Sequence, residues 1–109
     1  MSSECGEIKA FDELAKNLST ALRIIEANVG DPDQAVAELN AYAAERTATT
    51  TCLRAVMPAL SEQMKSNRPL LRQYGRKLGP PFQKQQALRL AHPEIFAHPG
   101  IDQALRRLL

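Results

Sequence analysis

The chain has few residue types capable of chemistry, and the two cysteines carry the clearest signal. Cys5 and Cys52 are the only thiols among 109 residues. A bond between positions this far apart would contribute about 4 kcal/mol in the chain-entropy account of disulfides. That is large beside the roughly 5–15 kcal/mol that holds a domain folded. A structural disulfide persists in oxidising surroundings, so the pair predicts a periplasmic or secreted protein; reduced thiols would imply the cytoplasm instead. Redox cycling is not indicated, because the C-x-x-C spacing that lowers a thiol pKa is missing.

Charge is the second signal. The net charge is only +2, but residues 1–55 hold nine acids and five bases, whereas residues 56–109 hold three acids and nine bases. Lys65, Arg68, Arg72, Arg76, Lys77, Lys84 and Arg89 fall in one segment without an acid among them. Lys65, Arg68, Arg72 and Arg76 recur at three- and four-residue spacing, which predicts a positive stripe on one helix face. Such a stripe suits an acidic protein surface, a phosphate-rich polymer or anionic headgroups. It also suits a solvated face lying over Asp12, Glu13, Glu38 and Glu45 of the same molecule. Nucleic-acid readers usually add stacking aromatics or a glycine-rich clamp, and here only Tyr74 and Phe82 lie nearby, both at core-like positions.

Other candidates are weaker. His92 and His98 are six residues apart, not the four that align two imidazoles on a helix, and each precedes a proline. They read as helix caps or solvent-facing groups, with no metal site. Met57 and Met64 fit core packing better than haem ligation, and no C-x-x-C-H motif is present, so no cofactor is expected. Asn17-Leu18-Ser19 matches a glycosylation acceptor by pattern, but inside an expected helix. No catalytic triad motif or phosphate-binding glycine loop occurs, so no enzyme is indicated.

The elements that must position these groups are helices. Ala and Leu dominate, aromatics make up 5% of the chain, and no strand pattern stands out. Ile8, Phe11, Ala15, Leu18, Leu22, Ile25 and Val29 alternate by three and four, predicting a first helical arm from Glu4 to Val29. Gly30 suits a left-handed helix stop. Asp31-Pro32-Asp33-Gln34 then reads as N-cap, first-turn proline and capping box. The second arm carries Val36, Leu39, Ala43, Arg46, Thr50, Leu53, Met57, Leu60 and Met64 in the same rhythm. It predicts one helix to Lys65, kinked at Pro58, with a break near Thr49 as the alternative.

Counted from the turn, Cys5 lies about 25 residues before and Cys52 about 20 after, so two straight antiparallel rods would bring them level. Both cysteines lie on the flanks of their apolar stripes. Beyond Lys65, Ser66-Asn67-Arg68-Pro69 begins a third helix, which Gly79-Pro80-Pro81 should end. A fourth follows to Leu90. Two proline-led starts come after it, at His92-Pro93 and His98-Pro99.

The expected protein is therefore an all-α bundle in one domain over residues 1–109. A long antiparallel hairpin (4–65) would be covered by two or three short helices (66–109). No apolar run is long enough to cross a membrane. Met1-Ser2-Ser3-Glu4 has no basic or apolar signal character, so an exported form would have lost its signal already. The expected role is binding without catalysis, as an accessory or inhibitory subunit or in a homo-oligomer. The alternative is a cytosolic module that binds nucleic acid or another polyanion through residues 65–89. Replacing Cys5 by Ser is expected to lower the melting temperature by several °C under non-reducing conditions; an unchanged melt would remove the staple.

Overall fold

The computed structural model describes residues 9–109. Among them it is a helical bundle without strands: α1 (Ala10–Ala27), α2 (Pro32–Glu45), α3 (Thr47–Met64), α4 (Arg68–Ala91), α5 (Pro93–Phe96) and α6 (Pro99–Leu108). The bundle measures 41 × 31 × 18 Å, and its shortest dimension is about two helix layers.

Helix α1 is the hub. It packs against α2, α3, α4 and α6, which explains the wide apolar stripe in its sequence. Leu18, Ala21, Leu22 and Ile25 are fully buried along it. Burying each large side chain contributes about 1.5–3 kcal/mol. The facing side is supplied by Leu39 of α2, Leu53 of α3, Leu78 of α4, Ile95 of α5, and Ile101 and Leu108 of α6.

The turn after α1 follows the expected chemistry in part. Asp31 caps α2, its carboxylate accepting from the Gln34 backbone N–H at 3.2 Å, and Pro32 opens the helix. The reciprocal half of the capping box is not made, because the Gln34 side chain donates to Glu38 instead. Gly30 is not left-handed; no described glycine has positive φ. The Asn28 side chain does that work, donating to the Ile24 carbonyl at 2.8 Å, so a left-handed closing residue is unnecessary.

Three boundaries differ from the sequence reading. Residues 4–8, where the first arm was expected to begin, lie outside the described residues. Lys9 is already outside the helix at φ −88°, ψ 85°, so the first arm does not run straight through it. The second arm breaks at Arg46, three residues before Thr49. Arg46 sits at φ −102°, ψ 12°. Its Nε donates to the Asn17 side chain at 2.7 Å, and its guanidinium reaches Glu13 at 2.5 Å. The threonines then become useful. Thr47 Oγ1 donates to the carbonyls of Ala43 and Ala44, and Thr50 Oγ1 donates to those of Arg46 and Thr47. Hydroxyls thus occupy carbonyls at the helix break. The two straight rods from which level cysteines were counted are therefore not the observed geometry.

The third difference is that Gly79-Pro80-Pro81 does not end a helix; α4 runs through it. Each proline forfeits one helical hydrogen bond. Gly79 offers no Cβ to clash with the ring that follows. Packing on both sides carries the helix across: Leu78, Pro81 and Leu88 are buried, and α4 lies along α1. The expected fourth helix is thus the second half of α4. The two proline-led starts appear as read, at Pro93 and Pro99.

One buried polar group ties the layers together. Asn17 has no solvent exposure. Its Nδ2 donates to the Leu108 carbonyl at 3.0 Å, and its Oδ1 accepts from Arg46 and, at 3.5 Å, from the Tyr42 hydroxyl. Replacing Asn17 by Ala leaves the Leu108 carbonyl and the Arg46 Nε without these partners. The expected loss is about 2–4 kcal/mol in urea unfolding, against a near-neutral Lys16→Ala control on the exposed side of α1.

Candidate partner-binding surface

Helix α4 presents the basic segment. Asn67 caps it, its side chain accepting from the Leu70 backbone N–H at 3.1 Å. The buried side is marked by half-buried Tyr74 and buried Leu78 and Pro81. At 100° per residue, Arg68, Arg72 and Arg76 fall on the opposite, outward side.

The seven predicted basic residues separate into four groups. Lys65, at the end of α3, pairs locally with Glu62 at 2.8 Å. Lys77 and Lys84 fold back on the acidic side of α1, reaching Asp12 at 2.6 Å and Glu26 at 3.1 Å. Arg89 lies over the Phe96 ring, 4.5 Å from its centre. Of the seven, Arg68, Arg72 and Arg76 are exposed with neither an ion pair nor a ring contact among the described residues. The acidic first half thus neutralises two members of the segment and leaves three. Glu13 is taken by Arg46, and Glu38 hydrogen-bonds Asn28 and Gln34.

Beside this stripe, Leu71 and Phe82 are half and two-fifths exposed. Tyr74 points inward and meets Phe11 edge-on at 5.3 Å. It therefore belongs to the core side, while Phe82, which the sequence placed in the core, lies at the edge.

A groove opens where α3 and α4 diverge from the start of α1, with a volume of about 1100 Å³. Its apolar lining comes from Phe11, Val56, Ala59, Leu60 and Leu70. Lys9, Gln73, Arg76 and Lys77 contribute its polar edge. The sequence reading missed the groove. The available signal was the excess of apolar residues on α3: Ala55, Val56 and Ala59 lie beside, not within, the stripe that packs inward.

Among the described residues no cluster of His, Cys, Asp and Glu could hold a metal ion. His98 caps α6, its Nδ1 accepting from the Gly100 N–H at 3.0 Å while Nε2 meets Asp33 at 3.1 Å. His92 makes no side-chain cap and lies 3.7 Å from Glu94. Cys52 is half-buried on α3 and carries no free thiol; its expected partner, Cys5, lies outside the described residues. No described helix is long and apolar enough to cross a membrane.

Comparison with known proteins finds no matching family model, no matching curated relative and no matching solved structure.

The hydrogen bond from Lys77 holds the Asp12 carboxyl below its ordinary range, opposed by desolvation and aided by the charges of Lys77 and Lys9. A depressed folded-state value means the contribution is present above the unfolded aspartate pKa and is lost as pH falls through the folded one. In Lys77→Gln the Asp12 titration followed by carboxyl NMR is expected to move upward, towards the ordinary value. An unmoved titration would mean that Lys77 is not its partner in solution.

Proposed function

We propose that this protein is a non-enzymatic binding module, exported to the periplasm or secreted, that engages another protein through the outward face of α4. The Arg68–Arg72–Arg76 stripe carries this reading. Three exposed guanidiniums, about 6 Å of helix rise apart, lack a counter-charge on the described surface. An uncompensated stripe beside the exposed apolar groups Leu71 and Phe82 offers a partner both steering charge and contact area.

A protein partner is favoured over nucleic acid by the aromatic residues. Tyr74 is engaged by Phe11 and by Phe82, which leaves on this face only the two-fifths-exposed ring of Phe82, too little for a stacking platform. Export rests on a Cys5–Cys52 bridge, which we take as a staple between the N-terminal segment and α3. The accessory or inhibitory role follows from small size and from the dominance of surface over chemistry.

The experiment is a pair of measurements on the full chain. Chemical cross-linking in an extract of the native compartment is expected to yield one recurrent protein adduct. That adduct should be lost in Arg68→Glu/Arg72→Glu and retained in Arg23→Glu, a charge reversal on α1. Random-sequence nucleic acid titrated at low salt is expected not to bind. Tight binding with a steep salt dependence would replace this reading with the cytosolic polyanion-binding one, and an adduct indifferent to the stripe would remove it.

A further inference from the structure

We infer that the groove between α1, α3 and α4 is the seat for an amphipathic helix of the partner, with its apolar face inward and acidic residues towards Lys9 and Arg76. The inference rests on the proposed binding role and adds where, and to what chemistry, the partner docks. Three observations carry it.

The first is the state of α3. Only Thr50 and Leu53 of this helix are buried. Val56 and Leu60 are half-buried, and Ala55 and Ala59 are exposed, although all four face the groove. The helix therefore has more apolar side chain than the bundle covers. Residues 55, 59 and 56, 60 repeat every four positions, the spacing at which one helix surface receives another.

The second is shape. The space of about 1100 Å³ is bounded by α3 on one side, α4 on the other and the first turn of α1 at its base. Helix-in-groove recognition uses such an apolar trough between diverging helices.

The third is charge complementarity. Among the described residues, Lys9, Arg76 and Lys77 lie at the groove, with Asp12 as the one acid there and already paired with Lys77. Arg72 and Arg68 lie further round α4 on its outward side, so Lys9 and Arg76 are the groove cations without an ion pair among the described residues. A single anionic headgroup would meet one end of this array. A helix with acids on both flanks of its apolar face can meet Lys9 and Arg76 at once.

The test uses two synthetic amphipathic helices of about 18 residues, long enough to span the groove. They share Leu at the inward positions and differ in carrying Glu or Lys on the flanks. Binding to the full chain is followed by isothermal titration and by backbone amide shifts. The Glu peptide is expected to bind, with shifts concentrated at Ala55, Val56, Ala59, Leu70 and Gln73. Ala59→Arg, which fills the trough from an exposed position, and Arg76→Glu should each raise Kd about tenfold or more. Arg23→Glu should not change it.

Equal affinity for the Lys peptide, equal affinity in Ala59→Arg, or amide shifts confined to other helices would each overturn the inference. So would occupation of the groove by dodecanoate in preference to the Glu peptide, which would make it a lipid site. Cross-linking separates this failure from failure of the wider reading. An adduct lost in Arg68→Glu/Arg72→Glu but kept in Ala59→Arg leaves the α4 face as the docking surface and removes the groove.

Discussion

The hydrogen bonds of Asn17 are the constraint from which the rest of the architecture follows. A side-chain amide with no solvent exposure must have all its partners inside the protein, and those partners come from two distant parts of the chain. The Leu108 carbonyl brings the end of α6 to the middle of α1. The Arg46 side chain brings the α2–α3 junction to the same point. Arg46 is itself held from the other side by Glu13. This small polar node sits within an otherwise apolar core, where leaving any member unpaired is costly.

Because Arg46 is held there, the second arm cannot continue straight. Its backbone leaves helical geometry at this residue, and the threonine hydroxyls that follow absorb the freed carbonyls. The redirected α3 packs on α1 and α4 with one face and leaves another open. The groove lies along that open face. Further contacts hold α6 in place: Arg54 of α3 donates to the carbonyls of Arg106 and Arg107 at its C-terminus, and Arg107 reaches Asn40 of α2. Side chains of α1, α2 and α3 all reach the last turn of α6.

Electrostatics divides the basic segment by the same logic of position. Lys77 and Lys84 lie towards α1 and find its acids, whereas Arg68, Arg72 and Arg76 turn away from it. An even spacing of like charges in sequence therefore becomes two functional groups on one helix, one closing the bundle and one facing outward. The prolines in the middle of α4 each remove a helical hydrogen bond, and the core contacts of Leu78 and Pro81 carry the helix across them.

Local chemistry was readable from the residues alone. The all-α class, the wide burial face of α1, the Asp31 cap with Pro32 behind it, the Asn67 start of α4 and the paired proline-led starts near the C-terminus each depend on a few neighbouring side chains, and periodicity or capping reports them directly. What only the tertiary structure decided depends on residues far apart in the chain. Arg46 looked like one more position in an apolar rhythm until Asn17 and Glu13 drew it out of line. Gly79-Pro80-Pro81 looked like a stop until the packing of α1 on both sides outweighed two missing hydrogen bonds. The outward arginines and the groove belong to this second kind. Exposure and pairing are properties of the surface that neighbouring helices leave uncovered, and no local pattern encodes which neighbours will arrive.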